Sequence, residues 1–487
     1  MRTFGSWWCG GLLVALSMVG CGGSETPDAA TGVRPNIIFV SIDSLRADHL
    51  GCYGYSRPTS PFLDKLARKG LRFENALSTT SWTLPSHAAM FTGLLGPTHG
   101  LVDNGMSLSE DHVTMAELLG ENGYDTAGFF GGPYLHPTFG MAQGFDVYES
   151  CMTTTPEDQQ GEDVRNSASA HDAPSHRDIT GPRTRERVQA WAEKRTAGDA
   201  SSPYFLFVHL WDVHYDYYAP KEYEALFADP NYSGPVDGRL MSNEAIRPDM
   251  SRSDLAQVLA LYDAEIRFTD DILEGIFADL EKGGLLENTL VVITSDHGEE
   301  FFEHGMKGHN KSLFDEVLRV PLIVSWPEEI EGGRTIRDQV QIIDLLPTFA
   351  SVAGVIENLP VQGKDLAPLL EGRAMKSRDA LSGLFIDGMS QRALRSNQRK
   401  VVRMDDAAPA VYIDLVANPR ETFQNVITPD SPSGQDIRRR GEAEIRAAAQ
   451  RAEELRRALG KRPPNQIELS DALRNELSKL GYLGNED

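Results

Sequence analysis

The segment NIIFVSIDSLR, residues 36–46, decides the fold class because it joins a near-continuous run of apolar and β-branched residues to an aspartate, Asp43. Such a run is typical of a strand that is buried on both faces of a parallel sheet. Two later segments repeat the pattern and run into acidic and imidazole side chains: Tyr204–Leu210 (YFLFVHL), followed by Asp212 and His214, and Leu290–Ser295 (LVVITS), followed by Asp296 and His297. Parallel sheets bind ligands outside the carboxyl ends of their strands, so we expect these side chains to meet at one site.

Helical patterns alternate with these strands. The spacing of apolar residues predicts helices over Pro61–Gly70, Met115–Gly123 and Leu255–Leu280, and further strands over Thr126–Phe130 and Pro321–Ser325. We therefore predict an α/β fold in which a large, mostly parallel sheet is sandwiched between helices.

The final part of the chain has a different pattern. Arg392–Val402 and Ala410–Leu415 indicate a small antiparallel sheet, and Ile437–Leu459 indicates a helix rich in Arg, Glu and Ala. These patterns predict a signal peptide at 1–21, a tether at 22–35, a catalytic domain at 36–375 with a polar insertion at 150–182, a small-sheet subdomain at 376–430 and a helical tail at 431–487.

The N-terminus has the features of a targeting segment. Arg2 precedes an apolar run, Leu12–Val19, and small residues surround Cys21. This arrangement resembles a bacterial lipoprotein signal with Cys21 as the lipidated residue, and a plain secretory peptide is the alternative. We expect a protein of the bacterial cell envelope, either periplasmic or an outer-membrane lipoprotein, that contacts the membrane only through this lipid anchor. After the N-terminus no apolar run is long enough to predict a spanning helix.

The net charge limits the kinds of molecule that the chain can be expected to bind. The chain has 487 residues, of which 40% are hydrophobic, and a formal net charge of −24. This charge argues against nucleic acid as a partner, and an anionic substrate would need a local cluster of cations. Loss of the signal peptide would leave Cys52 and Cys151, which are too few for a disulfide framework; whether they pair is open.

The segment Ser81–Gly100, SWTLPSHAAMFTGLLGPTHG, places a hydroxyl just before a proline. Pro85 is predicted to occupy the first position of a short helix that Gly93 ends. Thr83 would then lie at a helix N-terminus, where free N–H groups stabilise an alkoxide or an incoming anion. In isolation this pattern is only a capped helix start, but the acidic strand ends give it a chemical context.

Asp43, Asp296, His297 and Thr83 together make a plausible metal site. The set mixes oxygen and nitrogen ligands, which suits Mn²⁺ or Zn²⁺, whereas an all-oxygen set would suit Ca²⁺ better. We expect one divalent metal ion (Ca, Mn or Zn) that lowers the pKa of the Thr83 hydroxyl and orients its oxygen.

Five segments, in order, resemble the sulfatase family within the alkaline phosphatase-like superfamily. They look like the first metal-binding segment, the nucleophile segment, the second metal-binding segment, the block whose lysine contacts the substrate anion, and the C-terminal subdomain: residues 43–54, 81–100, 294–299, 309–321 and 413–421. The resemblance implies the same fold and a sulfated or phosphorylated small molecule or glycan as substrate.

The resemblance also implies roles for single residues. Asp43, Asp296 and His297 would bind metal, and Thr83 would stand at the nucleophile position. The other implied roles are to flank the nucleophile (Arg46 and His87), to contact the transferred group (His214 and Lys311) and to protonate the leaving oxygen (His214, Lys311 or His309). Purely structural roles are the alternative for these histidines, and a solvated side chain is the alternative for Lys311.

Departures from the family pattern bear on the mechanism. Relatives carry Cys or Ser in C/S-x-P-x-R and convert it to formylglycine, but here Thr83 holds that position and His87 replaces the arginine. This departure argues against formylglycine at this position. Ser44 stands where many relatives have a second metal-binding Asp, and the Lys and His that many members carry are missing at Gly131–Pro133.

Three functions remain in view. The first is a metal-dependent hydrolase of sulfate or phosphate esters that acts through Thr83. The second is a phosphodiesterase or phospho-headgroup transferase acting on envelope glycan or lipid, and the third is a catalytically silent anion-binding protein. Asp212, His214 and His309 are also candidates for a second metal site.

Overall fold

The computed structural model describes residues 34–152, 178–198, 201–355, 359–386, 388–405, 409–422, 426–427, 432–460, 464–471, 473–474 and 477. The signal peptide, Cys21, nearly all of the tether and residues 153–177 of the polar insertion therefore lie outside the described residues. Within the described residues, no helix has both the length and the apolarity needed to cross a bilayer.

The helices are α1 (Pro61–Lys69), α2 (Thr83–Thr92), α3 (Gly96–His99), α4 (Met115–Glu121), α5 (Gly181–Ala197), α6 (Lys221–Phe227), α7 (Arg252–Lys282), α8 (Asp315–Leu318), α9 (Leu345–Val352), α10 (Ala367–Leu370) and α11 (Pro432–Leu459). The strands are β1 (Asn36–Ile42), β2 (Leu71–Leu77), β3 (Met106–Ser107), β4 (Asp125–Phe130), β5 (Val147–Ser150), β6 (Tyr204–Leu210), β7 (Thr289–Ser295), β8 (Glu300–Phe301), β9 (Lys307–Gly308), β10 (Arg319–Val320), β11 (Leu322–Ser325), β12 (Arg334–Gln341), β13 (Ala380–Leu384), β14 (Gln391–Arg395), β15 (Arg399–Arg403), β16 (Val411–Asp414), β17 (Val426–Ile427) and β18 (Asn465–Gln466).

In the described part of the chain, nine strands form the main sheet. Their order is β10-β2-β11-β7-β1-β6-β4-β5, and β12 also pairs with β2. The pairings of β1 with β6 and β7, of β4 with β5 and β6, and of β12 with β2 are parallel. Antiparallel pairings occur where β10 and β11 join β2 and β7. The prediction of a large, mostly parallel sheet is thus confirmed, with β11 running against its neighbours.

Strand β1 is buried on both faces, as its composition predicts. Ile37 and Phe39 enter the hydrophobic core on one side of the sheet, and Ile38 and Val40 enter the core on the other side. Helix α9 contributes to the first core and α7 to the second. The central strands are therefore enclosed between helices, and their ends open toward the site.

Helix α2 begins earlier than the sequence predicts. Its first residue is Thr83, so Pro85 occupies the third helical position rather than the first. This position is compatible with proline because the first turn contains N–H groups that have no intrahelical partner. Gly93 ends the helix in the left-handed region with φ 66°, as predicted.

A second, antiparallel sheet follows the main sheet in the chain, with strand order β13-β14-β15-β16-β17. Helix α11 packs against this sheet and against α3. This confirms the predicted small antiparallel sheet and the long helix after it. Cys52 and Cys151 are not joined by a disulfide.

Candidate active site

The ends of β1 and β7 bring the predicted metal ligands together. Ile42 pairs with Ser295, so Asp43 and Asp296 follow at the same edge of the sheet. Asp43, Asp296 and His297 each offer a ligand atom, these atoms lie within 4.8 Å of one another, and all three residues are fully buried. Within the described residues this is the one cluster of His, Cys, Asp or Glu with such geometry.

Ser44 links the two carboxylates. Its hydroxyl donates to Asp43 Oδ1 (2.8 Å), and its backbone N–H donates to Asp296 Oδ1 (3.2 Å). Its φ of 53° lies in the left-handed region, which is unusual for a residue other than glycine. Ser44 therefore orients both acids.

His297 and Asp296 fit a divalent cation. His297 donates from Nδ1 to the Gly298 carbonyl (2.9 Å), which leaves a lone pair on Nε2, 3.4 Å from Asp296 Oδ2. Asp296 Oδ2 is buried without a hydrogen-bond partner among the described residues. Burial raises the pKa of Asp43 to about 6, while His297 acts in the opposite direction. The two buried carboxylates and the imidazole nitrogen form a set of donors that suits a divalent cation.

The Thr83 hydroxyl lies against this cluster. Thr83 Oγ1 is 3.3 Å from His297 Nε2 and 3.4 Å from Asp43 Oδ2. Thr83 is the first residue of α2, a helix in which all ten residues are buried. The hydroxyl is thus held at a helix N-terminus beside the candidate metal ligands.

Two buried histidines lie behind Thr83. His87 donates from Nδ1 to the Thr83 carbonyl (2.9 Å), and its Nε2 is 3.1 Å from Ser41 Oγ. Burial lowers the pKa of His87 to about 3, so this side chain is neutral. Sequence reasoning missed His209, whose Nε2 lies 3.3 Å from Asp43 Oδ2 and whose ring packs edge-on against His87. The signal was present, since His209 is the polar residue within the apolar run of β6.

Arg46 is paired with carboxylates rather than with Thr83. Its guanidinium donates to Asp48 (2.9 and 2.8 Å), to Glu303 (2.5 Å) and to the carbonyl of Glu299 (3.0 Å). Its positive charge is therefore balanced locally. Its role in flanking Thr83 stays a prediction.

The His309 ring lies beside His297, one of the candidate metal ligands. Its ring centre is 4.4 Å from that of His297 and 4.9 Å from that of His214. Its Nδ1 lies 3.0 Å from Glu299 Oε1, and Glu299 Oε2 accepts a hydrogen bond from the Tyr217 hydroxyl (3.3 Å). Glu299 and Tyr217 are further buried groups that sequence reasoning did not assign, and Glu299 orients the His309 ring.

Lys311 and His214 complete the predicted set. Lys311 Nζ donates to the Lys307 carbonyl (2.7 Å), and burial lowers its pKa while Glu299 and Glu300 oppose that shift. His214 stacks on Trp211 with ring centres 3.9 Å apart. Glu299, whose carboxylate contacts His309, is therefore also one of the two acids whose charge favours the protonated form of Lys311.

Asp212 is directed elsewhere. It accepts a hydrogen bond from the Thr180 hydroxyl (3.0 Å), just before α5, and burial raises its pKa to about 6. The predicted second metal set of Asp212, His214 and His309 is not brought together in the described structure. The geometry provides one candidate metal site.

Comparison with known families identifies two matching regions. A family model described as Sulfatase matches residues 35–355. A second model, described as N-sulphoglucosamine sulphohydrolase, C-terminal, matches residues 303–448.

Curated relatives agree with these matches. An ulvan-active sulfatase from Formosa agariphila is 26% identical over 442 residues, covering 84% of this chain and 80% of that protein. Arylsulfatase A from Homo sapiens is 30% identical over 389 residues, covering 71% and 70%. An N-acetylglucosamine-6-O-sulfatase from Bacteroides thetaiotaomicron is 24% identical, covering 75% and 76%.

Solved structures share the fold. One in complex with D-glucosamine-2-N,6-O-disulfate has a TM-score of 0.68 and 22% identity, with 88% of this chain and 99% of that chain covered. A phosphonate monoester hydrolase from Agrobacterium radiobacter has a TM-score of 0.67 and 22% identity, with 88% and 96% covered.

Proposed function

Since this chain belongs to the sulfatase family, whose members are sulfuric ester hydrolases, we propose that the hydroxyl of Thr83 is its nucleophile and that one divalent cation is required. One observation carries the proposal. Thr83 Oγ1 lies within 3.4 Å of both Asp43 Oδ2 and His297 Nε2, so a hydroxyl that contacts the side chains of two candidate ligands belongs to the residue at the family's nucleophile position.

Asp43, Asp296 and His297 would hold the cation. When bound, it would polarise the ester and lower the pKa of a neighbouring hydroxyl. The imidazole favours Mn²⁺ or Zn²⁺ over Ca²⁺ as the ion.

The chain's own residues account for the remaining chemistry. Thr83 Oγ1 attacks the sulfur or phosphorus in line with the leaving oxygen, and the N-terminus of α2 stabilises the charge of the transferred group. Lys311 binds oxygens of that group. His309, oriented by Glu299, or His214 protonates the leaving oxygen.

The charge of the site favours a singly charged ester. His87 is neutral and Arg46 is balanced by Asp48 and Glu303, so neither adds to the charge of Lys311 and the cation. A sulfate monoester, a phosphate diester and a phosphonate monoester all meet this condition. The named activities of the relatives favour sulfated glycans as substrates.

The nucleophile itself favours phosphate esters. A sulfated threonine has no geminal hydroxyl that could expel sulfate by elimination, so its turnover would be slow. Water can hydrolyse a phosphorylated threonine by attack at phosphorus. We therefore keep phosphate diester hydrolysis as the second candidate function.

The test is turnover of matched aryl sulfate, aryl phosphate and aryl phosphate diester by the metal-loaded wild type and by Thr83→Ala. Thr92→Ala is the matched control, because Thr92 lies at the far end of α2 and donates to the Ala88 carbonyl (2.6 Å). We expect loss of turnover in Thr83→Ala alone. Equal turnover in Thr83→Ala and wild type would contradict the proposal and indicate direct attack by water. Transfer of the headgroup to an added alcohol would favour a transferase, and the absence of turnover with metal bound would favour an anion-binding protein.

We also propose that the protein is a lipoprotein of the bacterial envelope, anchored through Cys21. The support is the sequence pattern around that residue. Membrane fractionation of the wild type and of Cys21→Ser tests it, since the variant should move to the soluble fraction.

A further inference from the structure

The small C-terminal sheet contacts the segment that leads to the nucleophile. On β13, the Ser382 hydroxyl donates to the Ser78 carbonyl (2.9 Å), and the backbone N–H of Gly383 donates to the Thr79 carbonyl (2.8 Å). Ser382 is buried. These two bonds fix the backbone shortly before α2 and Thr83.

The neighbouring strand contacts the segment that carries the anion-binding lysine. On β14, the buried Gln391 donates from Nε2 to the Lys311 carbonyl (2.8 Å). Gln391 pairs with Leu384 on β13. Adjacent strands of one sheet therefore hold the residues just before the nucleophile segment and the segment that carries Lys311.

The two catalytic segments are also tied to each other. The backbone N–H of Asn310 donates to the Ser81 carbonyl (2.8 Å). Asn310 precedes Lys311, and Ser81 lies two residues before Thr83. The sheet, the nucleophile segment and the Lys311 segment thus form a closed set of hydrogen bonds.

A buried ionic cluster anchors the sheet beneath these contacts. Lys400 on β15 is fully buried, and its Nζ lies 2.9 Å from Asp315 Oδ1 and 3.0 Å from Glu421 Oε1. Arg395 on β14 donates to both oxygens of Asp315 (2.8 to 3.1 Å). Asp315 begins α8, four residues after Lys311, so the sheet cannot shift without disturbing that segment.

We propose that Ser382 and Gln391 are positioning residues for the reaction: they set the distance between the Thr83 hydroxyl and the Lys311 ammonium. This inference rests on the proposed roles of Thr83 and Lys311. Misplacing a reacting group by about 1 Å can cost about 100-fold in rate, so bonds to the backbone of both segments carry catalytic weight.

The test separates the two contacts. Ser382→Ala removes the bond to the nucleophile segment, and we expect kcat to fall about tenfold while the Kd for inorganic sulfate and phosphate stays within about twofold. Gln391→Met removes the bond to Lys311 at similar volume, and we expect the Kd of these anions, measured by calorimetry, to rise about tenfold. Gln398→Met, at an exposed position in the turn between β14 and β15, is the matched control and should match the wild type.

Two further variants distinguish a loss of positioning from a general loss of stability and from a failure of the proposed nucleophile. Ser382→Thr retains the hydroxyl and should restore kcat. Wild-type kcat and anion affinity in both variants would overturn the inference, and so would equal losses in kcat and anion affinity that follow the loss in Tm. Thr83→Ala is assayed in parallel. Full activity of Thr83→Ala would refute the proposed nucleophile. If Thr83→Ala is inactive while Gln391→Met and Ser382→Ala behave like the wild type, only the positioning role is refuted.

Discussion

Replacement of Lys400 by methionine isolates the energetic role of the buried cluster beneath the small sheet. Lys400 is fully buried and pairs with Asp315 and Glu421. Methionine keeps most of the length of the side chain but removes the charge and its donors. Asp315 retains Arg395, whereas Glu421 loses the cation that contacts its carboxylate.

Removal of one partner from a buried ion pair costs about 3–5 kcal/mol, because the remaining charge is uncompensated. With an unfolding entropy of about 2.1 cal/mol/K per residue, the whole chain gives about 1 kcal/mol/K. We therefore expect the Tm of Lys400→Met to fall by about 3–5 °C.

The loss should depend on pH. Burial, with the Asp315 charge as the next cause, raises the pKa of Glu421 to about 7, and Lys400 opposes this shift. Without Lys400 the pKa in the folded state rises further, so the folded variant binds a proton that the unfolded chain releases. A group with a raised folded pKa loses stability as pH rises, so the gap between variant and wild type should widen from pH 6 to pH 8.

Differential scanning calorimetry at both pH values measures this. Lys221→Met is the control, since Lys221 is 91% exposed and its pairing with Glu224 is a surface contact. Adding Glu421→Gln to Lys400→Met should recover part of the loss, because the amide needs no counter-charge. A Tm shift below about 1 °C, or one that is equal at pH 6 and pH 8, would refute the reasoning.

Three further outcomes are expected. Thr83→Ala should lower turnover by about 1,000-fold or more, while the Kd for Mn²⁺, measured by calorimetry, changes by less than about tenfold. Loss of Mn²⁺ binding in this variant would show instead that the Thr83 hydroxyl is mainly a metal ligand. Mn²⁺ at about 100 times its Kd should stabilise the metal-free protein by about 2.7 kcal/mol, and Asp296→Asn should lose this Tm increase; an equal increase in the variant would place the ion elsewhere. His99 is buried, and burial together with His112 lowers its pKa to about 3, so its contribution to stability is complete above pH 6.5 and is lost as pH falls toward 3. His99→Asn should therefore lose less stability than wild type between pH 6.5 and pH 4 in urea titrations, by up to about 1.4 kcal/mol per pH unit, and parallel curves would contradict this.

Much of the fold is predictable because the central strands are buried on both faces. The bounds of β1 and β6 agree with the sequence predictions at both ends, and β7 differs by one residue. Strands β2 and β12 were not predicted from the sequence. Buried and half-buried positions are mixed in β2, and β12 carries Arg334, Arg337 and Asp338, so neither strand has a continuous apolar run. Their assignment depends on pairing with each other across more than 250 residues of sequence, which local patterns do not encode.

The candidate site likewise has residues whose positions the sequence predicts and residues whose surroundings it does not. Asp43, Asp296 and His297 follow buried strands, so the topology alone predicts that they meet. The environment of Arg46 could not be predicted, because Glu303 reaches it from 257 residues away. His209 was missed since an isolated histidine within an apolar strand is read as part of the core until its neighbour across the sheet is known.

The hydrogen bonds from β13 and β14 have a consequence for protein synthesis. Ser78, Thr79 and Lys311 leave the ribosome well before Ser382 and Gln391, and Glu421 emerges later still. A nascent chain can therefore contain all the proposed catalytic residues before the sheet that positions them has been synthesised. Full activity would appear late, when the small sheet packs against segments made earlier, and a product released prematurely would be much less active than the whole chain.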